Sequence, residues 1–147
     1  MALISNKKAH FNYEITDKYT AGIELFGFEV KSLRKGQGSL EGSYVTARGG
    51  EAFLINAFIP PYQPENTPKD YDAHRNRKLL LTKNEIKTLA DIEKAKGLTI
   101  VPLSVYNEGR VLKVDLGVGR GKKKFDKRET LKKRDTEKQT RREYSDR

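Results

Sequence analysis

His10 and His74 are the two imidazoles in a chain of 147 residues, and imidazole titrates near neutral pH. With a lysine or arginine to steady a pentacoordinate phosphate, such a pair is the minimal acid–base apparatus of an RNA-cleaving enzyme. Nothing in the spacing brings the two together. His10 opens a predicted strand and His74 falls in a basic loop, so phosphate contact or a structural hydrogen bond suits each better. The run Gly117-Val118-Gly119-Arg120-Gly121-Lys122 has the glycine density of a phosphate loop, yet the full spacing is missing and no Ser or Thr follows Lys122 to meet magnesium. It reads instead as a pliable exit from the last strand. Cysteine is absent, which removes disulfides and thiolate metal sites, and two histidines do not build a typical zinc site. The expectation is a protein that binds rather than catalyses, without cofactor or metal.

Charge then carries the chemistry. Thirty Lys and Arg against 20 acids give a net charge of +10, which favours a polyanionic partner such as nucleic acid or an anionic membrane surface. The membrane option weakens because Ala2-Leu3-Ile4 is only a short apolar fragment and no later run approaches bilayer-spanning length. A reducing cytosol is the expected location. The charge is uneven: residues 120 to 147 hold 13 Lys and Arg against 6 acids, leaving +7, while residues 1 to 119 leave +3. Phe125, Leu131 and Tyr144 are the only large apolar or aromatic residues in that tail, too few to offset the entropy of ordering it. Its free state is expected to be disordered, with helix forming against a partner, helped by the Glu129 to Lys133 spacing. The division is a body, 1–121, and a basic tail, 122–147.

The elements that must position the body's cations are mostly strands. His10 to Thr16 alternates and Thr20 to Phe28 is rich in β-compatible residues, predicting two strands. Glu29 to Lys35 predicts a short helix, with Val30, Leu33 and Arg34 on one side and Gly36 at its end, plugging one end of a barrel. Ser43 to Arg48 and Glu51 to Ile55 flank Gly49-Gly50, the clearest hairpin. Pro60 to Pro68 predicts an exposed loop, and Asp70 to Lys78 stays polar. Leu79 to Leu81 predicts a brief strand before the capping box Thr82-Lys83-Asn84-Glu85. The helix that follows has an apolar side of Ile86, Leu89, Ala90, Ile92 and Ala95 and stops at Gly97. Leu98 to Tyr106 and Arg110 to Val118 predict a second hairpin around Asn107-Glu108-Gly109. The fold class is mainly β with short helices (α+β), a small antiparallel barrel of oligonucleotide-binding type.

Several segments, in order, carry a further signal: Asn6-Lys7-Lys8-Ala9-His10 with Tyr13 and Ile15; Ala21-Gly22-Ile23 leading into Gly27-Phe28-Glu29-Val30-Lys31-Ser32-Leu33-Arg34; and Tyr44 with Gly50-Glu51-Ala52-Phe53-Leu54. Arg75-Asn76-Arg77-Lys78-Leu79-Leu80-Leu81 and Gly119-Arg120-Gly121-Lys122-Lys123-Lys124-Phe125-Asp126-Lys127-Arg128 complete the series. Together they resemble the bacterial SsrA-binding proteins, also called small protein B, over nearly the whole chain. The resemblance implies a barrel that grips the elbow of the tRNA-like part of transfer-messenger RNA. It implies entry to stalled ribosomes for trans-translation, with elongation factor Tu engaged indirectly through the charged RNA. The tail would then occupy the decoding centre and the empty messenger channel.

Residue type and resemblance together give the candidate contacts. Lys7, Lys8, Arg75, Arg77 and Lys78 can neutralise phosphates, and His10 or Tyr13 can stack on bases or support the barrel edge. Glu29 and Lys31 are expected to order the RNA-facing surface, Glu29 being structural or functional with equal weight. Thr20, Gly22, Leu80 and Thr82 fall on positions the resemblance connects with RNA. Relatives often carry an acidic residue at the place of Thr20 and an amide or imidazole near Thr82, and here Thr82 can be simply a helix cap. In the tail, Lys122, Lys123, Lys124, Lys127 and Arg128 are expected to meet ribosomal RNA, Phe125 to stack on a decoding-centre base, and Asp126 to orient its basic neighbours. A monomer is expected. A ribosomal or general single-strand RNA-binding protein is the alternative that shares the barrel and the charge.

Overall fold

The computed structural model describes residues 2–63, 65 and 67–121. Its elements run β1 (Ala2–Ser5), α1 (Lys7–Asn12), β2 (Tyr13–Ile23), α2 (Gly27–Arg34), β3 (Tyr44–Arg48), β4 (Glu51–Ile55), β5 (Arg77–Leu80), α3 (Lys83–Lys94), β6 (Leu98–Glu108) and β7 (Val111–Gly121). All strands pair antiparallel in one seven-stranded sheet ordered β1-β6-β7-β2-β5-β4-β3. The sheet rolls until β3 lies against β6, without a ladder between them, and α3 packs on both strands at that seam. The expected barrel is therefore an open one, closed by a helix. Glu93 of α3 makes the closure specific: its Oε2 accepts from the Ala47 backbone N–H at 3.1 Å and its Oε1 from the Thr46 hydroxyl at 2.6 Å. A carboxylate thus satisfies an amide on the free edge of β3, where an unpaired strand would otherwise invite another chain.

Local chemistry explains most elements. Arg48 faces Glu51 across Gly49 and Gly50, whose φ values of 59° and 78° are those of the mirror-image turn that matches strand twist. Thr82 caps α3 by accepting from Glu85 N, and Glu85 returns a bond to Thr82 N. At the end of α2, Gly36 has φ 74°, its N–H reaches the Leu33 carbonyl and the Gln37 N–H reaches Ser32, a Schellman ending.

Three expectations are corrected. His10 is in a helix: Asn6 caps α1 by accepting from Ala9 N, while its buried amide donates to the Leu40 and Pro102 carbonyls. The two predicted strands between His10 and Phe28 are one long strand, β2, with a bulge between Ile15 and Asp17, and Gly27 and Phe28 already belong to α2. Gly117 to Gly121 is no pliable exit; it lies inside β7, paired with β2 and β6. The alternation there has a packing reason. Val118 points into the main core with Leu116, while Gly117 and Gly119 leave room on the other side for Leu103, Ile15 and Tyr13. Those side chains, with Ala9 and Val101, form a second small core beneath α1.

The main core, built on Leu33, Leu54, Leu79, Leu89, Ile100, Val114 and Leu116, also contains a charge. Glu29 and Arg77 are both 0% exposed. Glu29 Oε1 accepts from the Phe26 N–H at 2.8 Å and Arg75 Nη2 at 2.5 Å, and Oε2 from Arg75 Nε at 3.2 Å and Arg77 Nε at 2.8 Å. Arg77 Nη1 donates to the Ala57 and Arg75 carbonyls, and Nη2 to the Tyr71 hydroxyl and the Ala73 carbonyl. Every N–H of the guanidinium is engaged. Burial by itself would raise the Glu29 pKa, but the Arg75 hydrogen bond, the Phe26 N–H and the Arg77 charge outweigh it and hold the carboxyl below its ordinary value. The same network drives the Tyr71 hydroxyl to about 12, through burial first and then Glu29.

Because the folded pKa of Glu29 is depressed, its contribution to stability is fully present above the ordinary carboxyl value and is lost as pH falls through the folded one. Urea midpoints measured from pH 7 to pH 3 should fall more steeply for the parent than for Glu29→Gln. At pH 7 Glu29→Gln, which strands the buried Arg77 charge, should lose about 3–5 kcal/mol. An equal acid slope in both proteins would contradict this assignment. Gly119→Ala should cost about 1–3 kcal/mol by the same measurement, because the new Cβ would stand 2.8 Å from Tyr13 Cβ.

Candidate nucleic-acid interface

The outer face of the sheet gathers residues that are far apart in sequence. In β2 and β7, Ala21, Val114 and Leu116 point inward, so Thr20, Gly22, Lys113 and Asp115 point outward. Gly22 faces Leu80 on β5 and Lys113 on β7, and Lys113 faces Tyr106 on β6. This gives one cross-strand row, Leu80–Gly22–Lys113–Tyr106. In the next row, Thr20 donates to Asp115 Oδ1 at 3.2 Å. The Tyr106 hydroxyl joins them, its pKa pushed up by desolvation and by Asp115 against the opposing effect of a hydrogen bond with Thr20. Thr20, Gly22 and Leu80 therefore fall on one surface, and Thr82 follows the end of β5 as the N-cap of α3. The Thr82 hydroxyl is exposed but committed to the helix cap.

A second group stands at the other end of β2. Tyr13 lies seven residues before Thr20, about 23 Å along an extended strand. Lys7, Lys8 and His10 are exposed on α1, and Lys8 pairs with Glu41 at 2.5 Å, a surface contact of little energetic weight. Tyr13 is half-buried against the small core and faces Gly121, so this basic helix adjoins the place where the tail begins.

The third group is largely internal. Arg77 has neither exposure nor a spare donor, so phosphate contact is withdrawn for it and its role is to hold Glu29. Glu29 is likewise buried, with its carboxylate engaged by Arg75, Arg77, Tyr71 and the Phe26 N–H. Arg75 keeps a partly exposed guanidinium 4.2 Å from the Phe26 ring centroid, anchored by Glu29. Lys31 is exposed, with Nζ 6.0 Å from the centre of the Tyr62 ring, and Lys78 pairs with Glu51 at 3.2 Å. Lys122 to Arg128 lie outside the described residues. Sequence reading missed Tyr106, Lys113 and Asp115. The alternation of β7 marked its outward residues, but only the pairing of β7 beside β2 sets them next to Thr20 and Gly22.

Among the described residues no cluster of His, Cys, Asp or Glu could hold a metal ion, and no helix is long and apolar enough to cross a membrane. His10 lies on α1, while His74 sits in the loop before β5 with its ring 5.1 Å from that of Phe58.

The family model "SmpB protein" matches residues 3–146. The SsrA-binding protein of Mesoplasma florum is 49% identical over 95% of this chain and 93% of its own length. That of Chlorobaculum tepidum is 50% identical over 92% of this chain and 87% of its own. A solved structure described as "tmRNA-SmpB: a journey to the center of the bacterial ribosome" contains a chain 45% identical, with a TM-score of 0.69, matching over 82% of this chain and 84% of that one. With a family model and relatives that match it nearly end to end, this chain belongs to the SsrA-binding protein (SmpB) family.

Proposed function

We propose that this protein binds the tRNA-like domain of transfer-messenger RNA and brings it to stalled ribosomes for trans-translation, acting in the cytoplasm and performing no catalysis itself. The observation that carries this is the outward row Leu80–Gly22–Lys113 with Thr20 beside it, brought together from three strands in a chain that belongs to this family. An apolar and cationic strip on a rigid sheet suits a folded RNA that is read by shape and by its unstacked bases. Lys7, Lys8 and His10 on α1 supply a second basic contact, with His10 and Tyr13 able to meet bases. Arg75 and Lys31 add cations at α2, and Lys78 adds one on β5.

Residues 122–147 serve on the ribosome: Lys122, Lys123, Lys124, Lys127 and Arg128 meet ribosomal RNA, Phe125 stacks on a decoding-centre base and Asp126 orients the cations around it. Elongation factor Tu takes part indirectly, through the charged RNA. The division of labour separates this reading from a general basic RNA binder, which would show neither a preferred RNA nor a task peculiar to the tail.

Salt-titrated binding of the full chain and of a truncation after Gly121 tests the proposal, each against the tRNA-like domain and an unrelated duplex. Both proteins should prefer the tRNA-like domain, while only the full chain should support tagging on ribosomes stalled without a codon. Equal affinity for the two RNAs by both proteins would leave only the general RNA binder. Phe125→Ala should retain RNA affinity and lose tagging.

A further inference from the structure

Three aromatic rings meet where α2 begins. Phe26, the exposed N-cap of that helix, stacks on Phe28 with ring centroids 5.4 Å apart, and Phe28 meets Tyr71 edge to face at 4.8 Å. They wall a surface cavity of about 390 Å³ that Pro68, Asp70, Asp72 and Arg75 complete from the loop before β5. In a chain of net charge +10, the two carboxylates lining this cavity outnumber its one cation. Arg75 is already paired with Glu29. Asp72 accepts from the His74 N–H through Oδ1 at 2.9 Å, while Asp70 has no hydrogen bond or ion pair among the described residues. The walls are fixed from beneath: the Tyr71 hydroxyl donates to Glu29 Oε2 at 2.8 Å, and Arg75 grips the other oxygen of the same carboxylate at 2.5 Å.

This lining restricts the occupant. A phosphodiester would stand against two carboxylates, and an apolar group would leave both unanswered. A cation on an apolar stem uses both kinds of wall, since the face of an aromatic ring attracts positive charge. The protein contains its own example: the Arg75 guanidinium sits 4.2 Å from the Phe26 ring centroid while it holds a carboxylate. A second guanidinium, arriving from outside, repeats that arrangement with Asp70 and Asp72 as its carboxylates. Arginine suits the cavity better than lysine, because its planar fork stacks on rings and meets carboxylates through two donors. The volume is near the lower end of the range of about 300–1,000 Å³ usual for ligand sites, room for one long side chain and its backbone.

We propose that this cavity is a docking site for a basic segment of a partner protein, which inserts one arginine against the aromatic rings, within reach of Asp70 and Asp72. The cavity shares no residue with the Leu80–Gly22–Lys113 row. The proposal therefore goes beyond the RNA-binding reading and gives the body a protein contact on a surface that repels phosphate.

The test uses the full chain. Acetyl-Gly-Arg-Gly-amide, titrated against it by NMR, should shift the ring resonances of Phe26, Phe28 and Tyr71 saturably; the corresponding lysine peptide should do so more weakly and the glutamate peptide not at all. Asp70→Asn combined with Asp72→Asn alters two exposed side chains and keeps an oxygen to accept from His74, so its thermal midpoint should match the parent's. The double change should weaken the arginine peptide about fivefold without lowering affinity for the tRNA-like RNA domain. A photo-crosslinking amino acid in place of Pro68, in the full chain bound with its RNA to stalled ribosomes, should join to an arginine-bearing protein segment, and the double change should diminish that product. Shifts that do not saturate, or equal affinity of parent and double variant for the arginine peptide, overturn the proposal. Crosslinks that reach no partner protein overturn it as well, whether they fall on RNA or on residues 122–147 of the chain itself.

Discussion

One carboxylate organises the body. Glu29 enters from α2, Arg75 and Tyr71 come from the loop before β5, and Arg77 begins β5, so one buried carboxylate joins α2 to two stretches of chain that share no backbone ladder with it. Removing ions from water is expensive, and such a cluster contributes stability only when its hydrogen bonds are complete. Here they are: among the described residues no buried side-chain nitrogen or oxygen lacks a partner. The network also specifies register. Arg77 is fixed by Glu29, which fixes where β5 starts and so which residue of β5 comes to face Gly22. The outward position of Leu80 is a consequence of an inward charge three residues earlier.

The sheet works with both of its faces, and its glycines divide the outer one into two territories. Around Gly117 and Gly119 that face is covered by Tyr13, Ile15 and Leu103 beneath α1. Around Gly22 it is left open, with Leu80, Lys113 and Thr20 showing. The bulge in β2 between Ile15 and Asp17 lies between these territories. A bulge shifts the alternation of a strand, so the same strand can supply apolar cover at one end and an accessible surface at the other.

Much of this was readable in the sequence where a local signal exists. Gly49-Gly50, the Thr82–Glu85 box and Gly36 each impose a conformation within a few residues, and each does so in the structure. What escaped depended on distant partners. Arg77 looked like a surface cation because it sits among Arg75, Asn76 and Lys78, and only the approach of α2 turns it inward. The glycines near the end of β7 looked like a hinge because nothing local shows that Tyr13, Ile15 and Leu103 will fill their places. His10 looked like the start of a strand, since a six-residue helix carries almost no periodicity and its cap, Asn6, was the one available sign. The candidate site divides the same way: the family resemblance pointed to Thr20, Gly22 and Leu80, while the placing of Lys113, Asp115 and Tyr106 beside them follows from strand order alone.

That strand order has a consequence for synthesis. β7, the last strand among the described residues, lies near the middle of the sheet between β6 and β2, and the Thr20–Asp115 bond closes a separation of 95 residues. Translation delivers the amino end first, so most of β2 must wait beside a vacant place until the final strand emerges. Every shorter nascent chain carries an unpaired edge there, the kind of edge that invites aggregation. A protein whose proposed task concerns chains abandoned before completion has a fold that tolerates no such abandonment: halted before β7, its own message would yield a product with no finished sheet.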